Sequence, residues 1–250
     1  MRRGTRLSHS RQAAWDRSRE RWVLDLPRGE RDTLPDVDGP LNPRAVFGRT
    51  ADLVVEVGSG LGENIAAAAA AHPERDHLAF EVYLPVLAQT LERLEREGAG
   101  GNVRLLPFDA LHALGTLLPP ASVHEMWVFF PDPWHKAKHR KRRLVAPPFL
   151  DVVAPLLAPG GVLRTATDWA HYALTMREAL DADPRFENLH PDGSGPTGTA
   201  TDPIPEELPL QGWAPRFDGR VVTSFERKAG DAGRLVWELA HRRTERTSTS

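Results

Sequence analysis

The chain has 250 residues, 40% of them hydrophobic, and 32 Lys and Arg against 34 Asp and Glu leave a formal net charge of −2. This size predicts one α/β domain with a short extension, and the charge balance excludes a histone-like basic protein. Because the chain has no Cys, disulfides, thiolate catalysis and Cys-ligated metal centres are excluded, and we predict no metal site. No apolar run reaches membrane-spanning length, so we expect a cytoplasmic protein without a membrane partner.

Two cationic stretches are hidden by this total. Residues 1–22 carry seven Arg and two acids, and residues 135–143 carry three Lys and three Arg without an acid. Residues 1–40 predict a basic helix at about 11–24, followed by a linker rich in Pro, Gly and Asp. We expect a folded domain over residues 41–243 and a polar tail over residues 244–250.

From residue 53 onward, short apolar runs alternate with helical patterns. Such repeated strand–helix units predict an α/β fold with a doubly wound parallel sheet. Residues 190–219 predict a long loop, and residues 221–226 and 235–239 are two further β-prone runs. The predicted strands are residues 53–57, 77–82, 103–106, 123–130 and 162–167. The predicted helices are residues 64–71, 84–97, 110–118, 147–157 and 169–182.

A glycine-rich turn joins the first predicted strand to its helix. Gly58 and Gly60 let the backbone bend sharply and leave bare main chain for a ligand, which favours an adenosine-bearing cofactor. Residue 63 is Glu, a poor neighbour for the pyrophosphate of a dinucleotide. Glu56, at the end of the strand, suits the amino group or sulfonium of S-adenosylmethionine. A dinucleotide stays open as the alternative cofactor.

Two more acids follow the next strands of the predicted sheet. Glu81 is placed to accept hydrogen bonds from both ribose hydroxyls, and Asp109 to meet the adenine amino group. Each has a structural alternative, because Glu81 also fits a solvated strand end and Asp109 fits a helix N-cap. Three acids at successive strand ends, together with the glycine turn, favour the S-adenosylmethionine site.

The fourth predicted strand leads into the segment Pro-Asp-Pro-Trp over residues 131–134, at the edge where open α/β sheets bind ligands. Asp132 offers a carboxylate between two prolines, while Trp134 fits either stacking on a base or wedging the loop. The basic residues 136–143 follow directly. A charge run is often a solvated face, but beside this edge it predicts contacts with the phosphates of a nucleic acid.

Several blocks together resemble the bacterial tRNA (guanine-N7)-methyltransferase family, over about residues 45–243 and more loosely 10–22. They are residues 56–62, 81–85, 129–136, 139–143, 167–169 and 223–226. The resemblance implies the Rossmann-like fold of class I S-adenosylmethionine-dependent methyltransferases. It also implies methylation of guanine N7 in the tRNA variable loop, at position 46, giving 7-methylguanosine.

The family's site residues fall on matching positions of this chain. Cofactor contacts fall on Glu56, Glu81, Asp109 and the active-site acid Asp132. Substrate contacts fall on Lys136, Asp168, Thr223, Ser224, Phe225 and Glu226, and RNA contacts on Lys138, His139, Arg140, Lys141, Arg142 and Arg143. Ser224 replaces a Lys of the family pattern, which removes an ionic contact that Arg227 or Lys228 would have to supply.

Guanine N7 has a lone pair and no proton to lose, so methylation needs no strong general base. Catalysis then depends on positioning and electrostatics, and Asp132 is expected either to stabilise the positive charge that develops on the base or to hold the guanine edge. Two other functions remain open, namely an exocyclic-amine nucleic-acid methyltransferase and a non-catalytic RNA-binding scaffold. A dehydrogenase is disfavoured by the residues of the glycine turn.

Overall fold

The computed structural model describes residues 7–198, 206 and 208–245. Among them are seven strands that pair as β-sheet, and helices alternate with the first five strands, which confirms the α/β class. The strands are β1 (Leu53–Val57), β2 (Asp76–Phe80), β3 (Val103–Leu106), β4 (Val123–Phe129), β5 (Leu157–Thr167), β6 (Phe186–Asn188) and β7 (Trp237–Arg243). The helices are α1 (His9–Trp22), α2 (Pro43–Phe47), α3 (Glu63–Ala71), α4 (Leu84–Arg96), α5 (Ala110–Leu117), α6 (Pro147–Leu156), α7 (Ala170–Asp181) and α8 (Ser224–Asp231).

The chain divides into two compact units, an N-terminal unit that ends at Val123 and a C-terminal unit that begins at His124. The predicted domain boundaries at residues 40 and 243 stay predictions, and residues 1–6 and 246–250 of the predicted extension and tail lie outside the described residues. In the N-terminal unit, β1 pairs with β2 and β2 with β3, both in parallel. Every residue of β1 and β2 is buried, as expected for apolar strands covered on both faces.

The C-terminal unit contains the antiparallel part of the sheet. β7 pairs antiparallel with β5 on one side and with β6 on the other. The sequence predicts a parallel sheet and does not predict these antiparallel pairings. A local apolar pattern indicates a strand but not its direction. β5 also begins earlier than predicted, at Leu157, so residues 158–161, which separate the predicted helix from the predicted strand, lie within the strand, with Gly160 at φ +77°.

The prediction of a β-prone run over residues 221–226 is wrong, since α8 begins at Ser224. Thr223 is the N-cap of this helix, and its hydroxyl accepts a hydrogen bond from the backbone N–H of Glu226 at 3.3 Å. A Thr followed three residues later by Glu is a helix-start signature. Capping therefore overrides the β propensity of Val221 and Val222.

The basic helix predicted at 11–24 is observed as α1, packed against α4. Trp22 is 1% exposed, and its indole Nε1 donates to the Gly100 carbonyl at 3.0 Å. Arg17 forms an ion pair with Glu95 of α4 at 2.6 Å, and the Ser18 hydroxyl donates to the same carboxylate. The apolar side of α1 thus belongs to the core of the N-terminal unit.

The linker after α1 lies along the N-terminal unit. The backbone N–H of Leu24 donates to the Leu105 carbonyl at 3.0 Å, and that of Leu41 donates to Leu117 at 2.8 Å. Between these points, the N–H of Asp109 donates to the carbonyl of Thr33 at 2.9 Å. The linker therefore contacts the backbone of a predicted cofactor residue, Asp109, in the segment between β3 and α5.

We expect Trp22→Ala to lower the free energy of unfolding by about 3–5 kcal/mol, because it leaves a large cavity in the core of the N-terminal unit. Trp15→Ala, on the partly buried part of the same helix, should cost clearly less. Urea unfolding of both variants measures this difference. Equal losses would contradict the docking of α1 through Trp22.

Candidate active site

The glycine turn after β1 is held in a left-handed backbone conformation. Gly58, Gly60 and Gly62 have φ values of +72°, +52° and +70°. A Cβ added to Gly58 would meet nothing within 4 Å, whereas one added to Gly62 would lie 2.4 Å from Cγ2 of Thr90. The first glycine therefore leaves open space against bare main chain, and the third permits close packing of α4.

Helix α4 holds the turn from behind through two side chains that the sequence did not single out. The Thr90 hydroxyl lies 3.3 Å from the Gly60 carbonyl, and Nε of Arg93 donates to the Leu61 carbonyl at 3.2 Å. Arg93 also lies 3.8 Å from the carboxylate of Glu63 at the start of α3. Thr90 is a fully buried polar residue on the apolar face of α4. A polar residue at an apolar position of the helix pattern is the sequence signal that could have identified it.

Glu56 is a buried carboxylate beneath the turn, 3% exposed. Its Oε1 accepts a hydrogen bond from Nδ2 of Asn64 at 3.4 Å, while Oε2 is buried and has no hydrogen-bond partner among the described residues. Burial raises the pKa of Glu56 to about 8, against the hydrogen bonds from Asn64 and the Ile65 backbone that lower it. A cationic group that donates to Oε2 would satisfy this oxygen, which fits the amino group predicted for the cofactor.

Glu81 follows β2 and joins it to the glycine turn. Its Oε2 accepts from the Gly60 backbone N–H at 3.2 Å, and its Oε1 from the Tyr83 N–H at 2.7 Å. Two backbone donors fix the carboxylate, and a carboxylate accepts several hydrogen bonds. The half-buried carboxylate can therefore accept ribose hydroxyls as predicted, although that contact stays a prediction.

Asp109 is the N-cap of α5, as in the structural alternative from the sequence. Its Oδ1 accepts from the Leu111 N–H at 3.1 Å and lies 3.3 Å from Nδ1 of His112. Both contacts use Oδ1, and 44% of the side chain is exposed. Capping does not occupy the whole carboxylate, so the predicted contact with an adenine amino group stays a prediction.

Asp132 lies in the C-terminal unit, on a turn with two unusual backbone conformations. Phe130 and Trp134 have φ values of +51° and +46°, which non-glycine residues rarely adopt and which cluster at functional sites. The Phe130 N–H donates to the Ala166 carbonyl at 2.7 Å. Asp132 is exposed between these two residues. The turn therefore presents a carboxylate to solvent after β4.

The basic run forms a 3-10 helix, Ala137–Arg142. Five of its cations are exposed and form no ion pair with another described residue: Lys136, Lys138, Arg140, Lys141 and Arg142. Arg142 lies 5.0 Å from the Trp134 ring, and half-buried His139 packs edge-on against the same ring at 5.9 Å. Trp134 thus wedges the loop, as in one of its two predicted roles. Arg143 differs from the expected phosphate contact because it is buried.

The remaining predicted substrate residues are engaged within the C-terminal unit. Asp168 forms an ion pair with Nε of Arg234 at 2.9 Å. Nη1 of Arg227 donates to the Val222 carbonyl at 2.7 Å, and Nζ of Lys228 lies 5.7 Å from the ring of Phe225, which is 52% exposed. Arg234 therefore forms an ion pair with one predicted substrate residue, Asp168, and Lys228 lies beside the ring of another, Phe225.

Glu226 belongs to a buried ionic network that the sequence did not predict. Fully buried Arg220 donates to Glu226 and to Glu238, both at 2.6 Å, and Nε of Arg216 donates to Glu226 at 3.1 Å. Burial acts to raise the pKa of Glu226, but the hydrogen bonds from Arg216 and Arg220 lower it below its ordinary value. Arg220 also lies 5.2 Å from the Phe130 ring, so the network supports the turn that carries Asp132.

Comparisons with known proteins give a consistent result. A family described as putative methyltransferase matches residues 50–239. A tRNA (guanine-N(7)-)-methyltransferase of Paenarthrobacter aurescens is 43% identical over 97% of this chain and 90% of its own length. One from a Nocardioides species is 44% identical over 97% and 85%. The chain belongs to the tRNA (guanine-N7)-methyltransferase family.

Family membership confirms three predictions, namely the family itself, methyltransferase activity and S-adenosyl-L-methionine as cofactor. Among solved structures, an rRNA methylase of Streptococcus thermophilus aligns with a TM-score of 0.48 and 13% identity, over 78% of this chain and 88% of its own. Within the described residues, no helix is long and apolar enough to cross a membrane, and no cluster of three or more His, Asp or Glu could hold a metal ion.

The buried carboxylate predicts a pH-dependent stability of the cofactor-free methyltransferase. Because the pKa of Glu56 is about 8 in the folded chain and ordinarily 4.5, folding favours the protonated form. Its contribution to the free energy of unfolding is complete below pH 4.5 and is lost as the pH rises toward 8. As the pH rises from 5.5 to 8, the free energy of unfolding measured with urea should therefore fall less in Glu56→Gln than in the wild type. An equal fall in both proteins would contradict the raised pKa of Glu56.

We expect Arg93→Ala to weaken S-adenosyl-L-methionine binding roughly tenfold, the equivalent of about 1.4 kcal/mol, because it frees the Leu61 carbonyl and loosens the turn. Calorimetric titration of the cofactor measures the change. Arg96→Ala is the matched control, since Arg96 lies on the same helix, is 64% exposed and pairs with Glu97. Unchanged affinity in Arg93→Ala would show that α4 does not position the turn.

Proposed function

We propose that the protein transfers the methyl group of S-adenosyl-L-methionine to N7 of the guanine at position 46 of the tRNA variable loop, giving 7-methylguanosine. The observation that carries the site assignment is Oε2 of Glu56, which has no hydrogen-bond partner in the described part of the chain and lies beneath a turn whose first glycine faces open space. This carboxylate oxygen of Glu56 fits a cationic cofactor group and disfavours the pyrophosphate of a dinucleotide. We further propose that the enzyme acts in the cytoplasm.

The N-terminal unit would hold the cofactor. Glu56 would accept from the cofactor's amino group, Glu81 from the ribose hydroxyls and Asp109 from the adenine amino group. The main chain at Gly58 and Gly60 would lie against the cofactor. What supports these roles is the placement of each acid beside the glycine turn or directly after a neighbouring parallel strand.

The C-terminal unit would hold the tRNA. The exposed cations of residues 136–142 would contact phosphates, and Asp132 would contact the guanine. Asp168 and the Thr223–Glu226 segment would complete the substrate site. Their support is the family pattern, together with two separate ion pairs, of Arg220 with Glu226 and of Arg234 with Asp168. Arg143 would have a different role, since it is buried.

The cofactor supplies an electrophilic methyl group, and this chain's residues supply position and charge. When bound, it would give its methyl group to the N7 lone pair and keep the carbon–sulfur electron pair, so the positive charge would pass to the purine. A carboxylate at Asp132 would stabilise that new charge without removing a proton.

Labelled methyl transfer from S-adenosyl-L-methionine to unmodified tRNA, with nucleoside analysis, tests the proposal. Label is expected only in 7-methylguanosine. Label in a nucleoside methylated on an exocyclic amine would favour the rival methyltransferase. Binding of cofactor and tRNA without transfer would favour the non-catalytic scaffold.

Asp132→Asn should lower kcat roughly 10²–10³-fold, as loss of a charge-stabilising group does at other active sites. Because the side-chain shape is kept and Asp132 is exposed, tRNA affinity should stay within a few-fold. Single-turnover rates and filter-binding affinities give the two quantities. A loss of affinity as large as the loss of rate would make Asp132 a docking residue.

A further inference from the structure

Arg143 is the last cation of the basic run and differs from the other five. The other five are exposed, whereas Arg143 is 8% exposed. A side chain that grips RNA phosphates must reach solvent, and a buried guanidinium has lost most of its hydration. Membership in the run therefore does not explain Arg143.

The guanidinium of Arg143 connects two segments. Its Nε donates to the carbonyl of Pro133 at 3.0 Å, one residue after Asp132. Its Nη1 lies 3.0 Å from Nδ1 of His171 and 3.0 Å from the hydroxyl of Thr175, both on α7. A single planar group with donors in a fixed fork thus joins the Asp132 turn to a helix.

Tyr172 reinforces this connection. The Arg143 guanidinium lies 4.7 Å from its ring, and the Val145 N–H donates to its hydroxyl at 3.0 Å. Burial raises the pKa of Tyr172 to about 12, and the negative charge of Asp132 also raises it, by a smaller amount. Arg143, Tyr172 and Asp132 therefore share one environment in the C-terminal unit.

The turn needs such a restraint. Phe130 and Trp134, on either side of Asp132, both have positive φ, and strained backbone of this kind persists only where surrounding contacts hold it. Arg143 meets carbonyl, imidazole and hydroxyl acceptors and forms no ion pair with a carboxylate among the described residues. Its bonds fix a position instead of neutralising a charge.

We infer that Arg143 is a positioning residue that fixes the Asp132 turn on α7 and does not bind RNA phosphate. The inference rests on the catalytic role proposed for Asp132. It assigns different tasks to neighbouring cations of one run, in which residues 136–142 bind tRNA and Arg143 orients the reacting carboxylate.

Arg143→Ala and Arg140→Ala separate these tasks, because Arg140 is an exposed cation of the same run. Arg143→Ala should lower kcat about 10–100-fold at saturating tRNA, since small misplacements at an active site have effects of this size. Its tRNA affinity and salt dependence should match the wild type. Arg140→Ala should weaken tRNA binding and reduce the slope of log affinity against log salt by ~0.7–0.9.

Two milder variants protect the test against misfolding. Arg143→Lys keeps the charge but not the fork, so it should recover only part of kcat. Thr175→Val keeps the side-chain shape and removes one acceptor of Arg143, so it should lower kcat in the same direction by a smaller factor. Thermal unfolding and cofactor affinity are measured for each variant, and Thr175→Val decides if Arg143→Ala does not fold.

Arg143 would be a phosphate ligand, and the inference wrong, if Arg143→Ala showed the weaker binding and reduced salt slope of Arg140→Ala. An unchanged kcat in both Arg143→Ala and Thr175→Val would also overturn it. Failure of the wild type to form 7-methylguanosine is a separate result. That outcome refutes the proposed function, whereas the variants test Arg143 only in an active enzyme.

Discussion

The buried carboxylate of Glu56 is the constraint around which the N-terminal unit is organised. A charge in the core is unfavourable unless a partner satisfies it, and Asn64 occupies only one of its oxygens. The glycine turn above Glu56 has no side chain at Gly58 to fill the adjoining space. Among the described residues, the cofactor-free fold thus retains an unsatisfied carboxylate oxygen and open space at one place, and the cofactor site proposed above rests on this coincidence.

The two cationic stretches differ physically, although both carry a net positive charge. The cations of α1 include Arg17, which pairs with Glu95, and the helix is fixed by Trp22 in the core. Residues 136–142 instead expose their cations without pairing them among the described residues. An unpaired exposed charge contributes its full attraction to a polyanion, whereas a paired one is partly neutralised. The near-zero net charge therefore says little about where RNA binds.

Elements formed by local apolar patterns were predictable, and contacts between distant residues were not. β1 and β3 have the predicted bounds because a short buried run is its own signal. α8 was missed because Val221 and Val222 outweighed a capping signature that was present in the sequence. Of the site, the acids follow from their positions after strands, but the burial of Arg143 and the contact of Arg93 with the glycine turn depend on packing across many residues.

Helix α4 links the N-terminal helix to the cofactor turn. Glu95 binds Arg17 and Ser18 of α1, and Arg93, two residues earlier, binds the Leu61 carbonyl of the turn. Arg93 and Glu95 lie little more than half a helical turn apart on α4. The same part of α4 is therefore held by α1 and by the glycine turn. The docked α1 thus contacts the same helix that holds the glycine turn, and this contact is separate from the positive charge of the N-terminal extension.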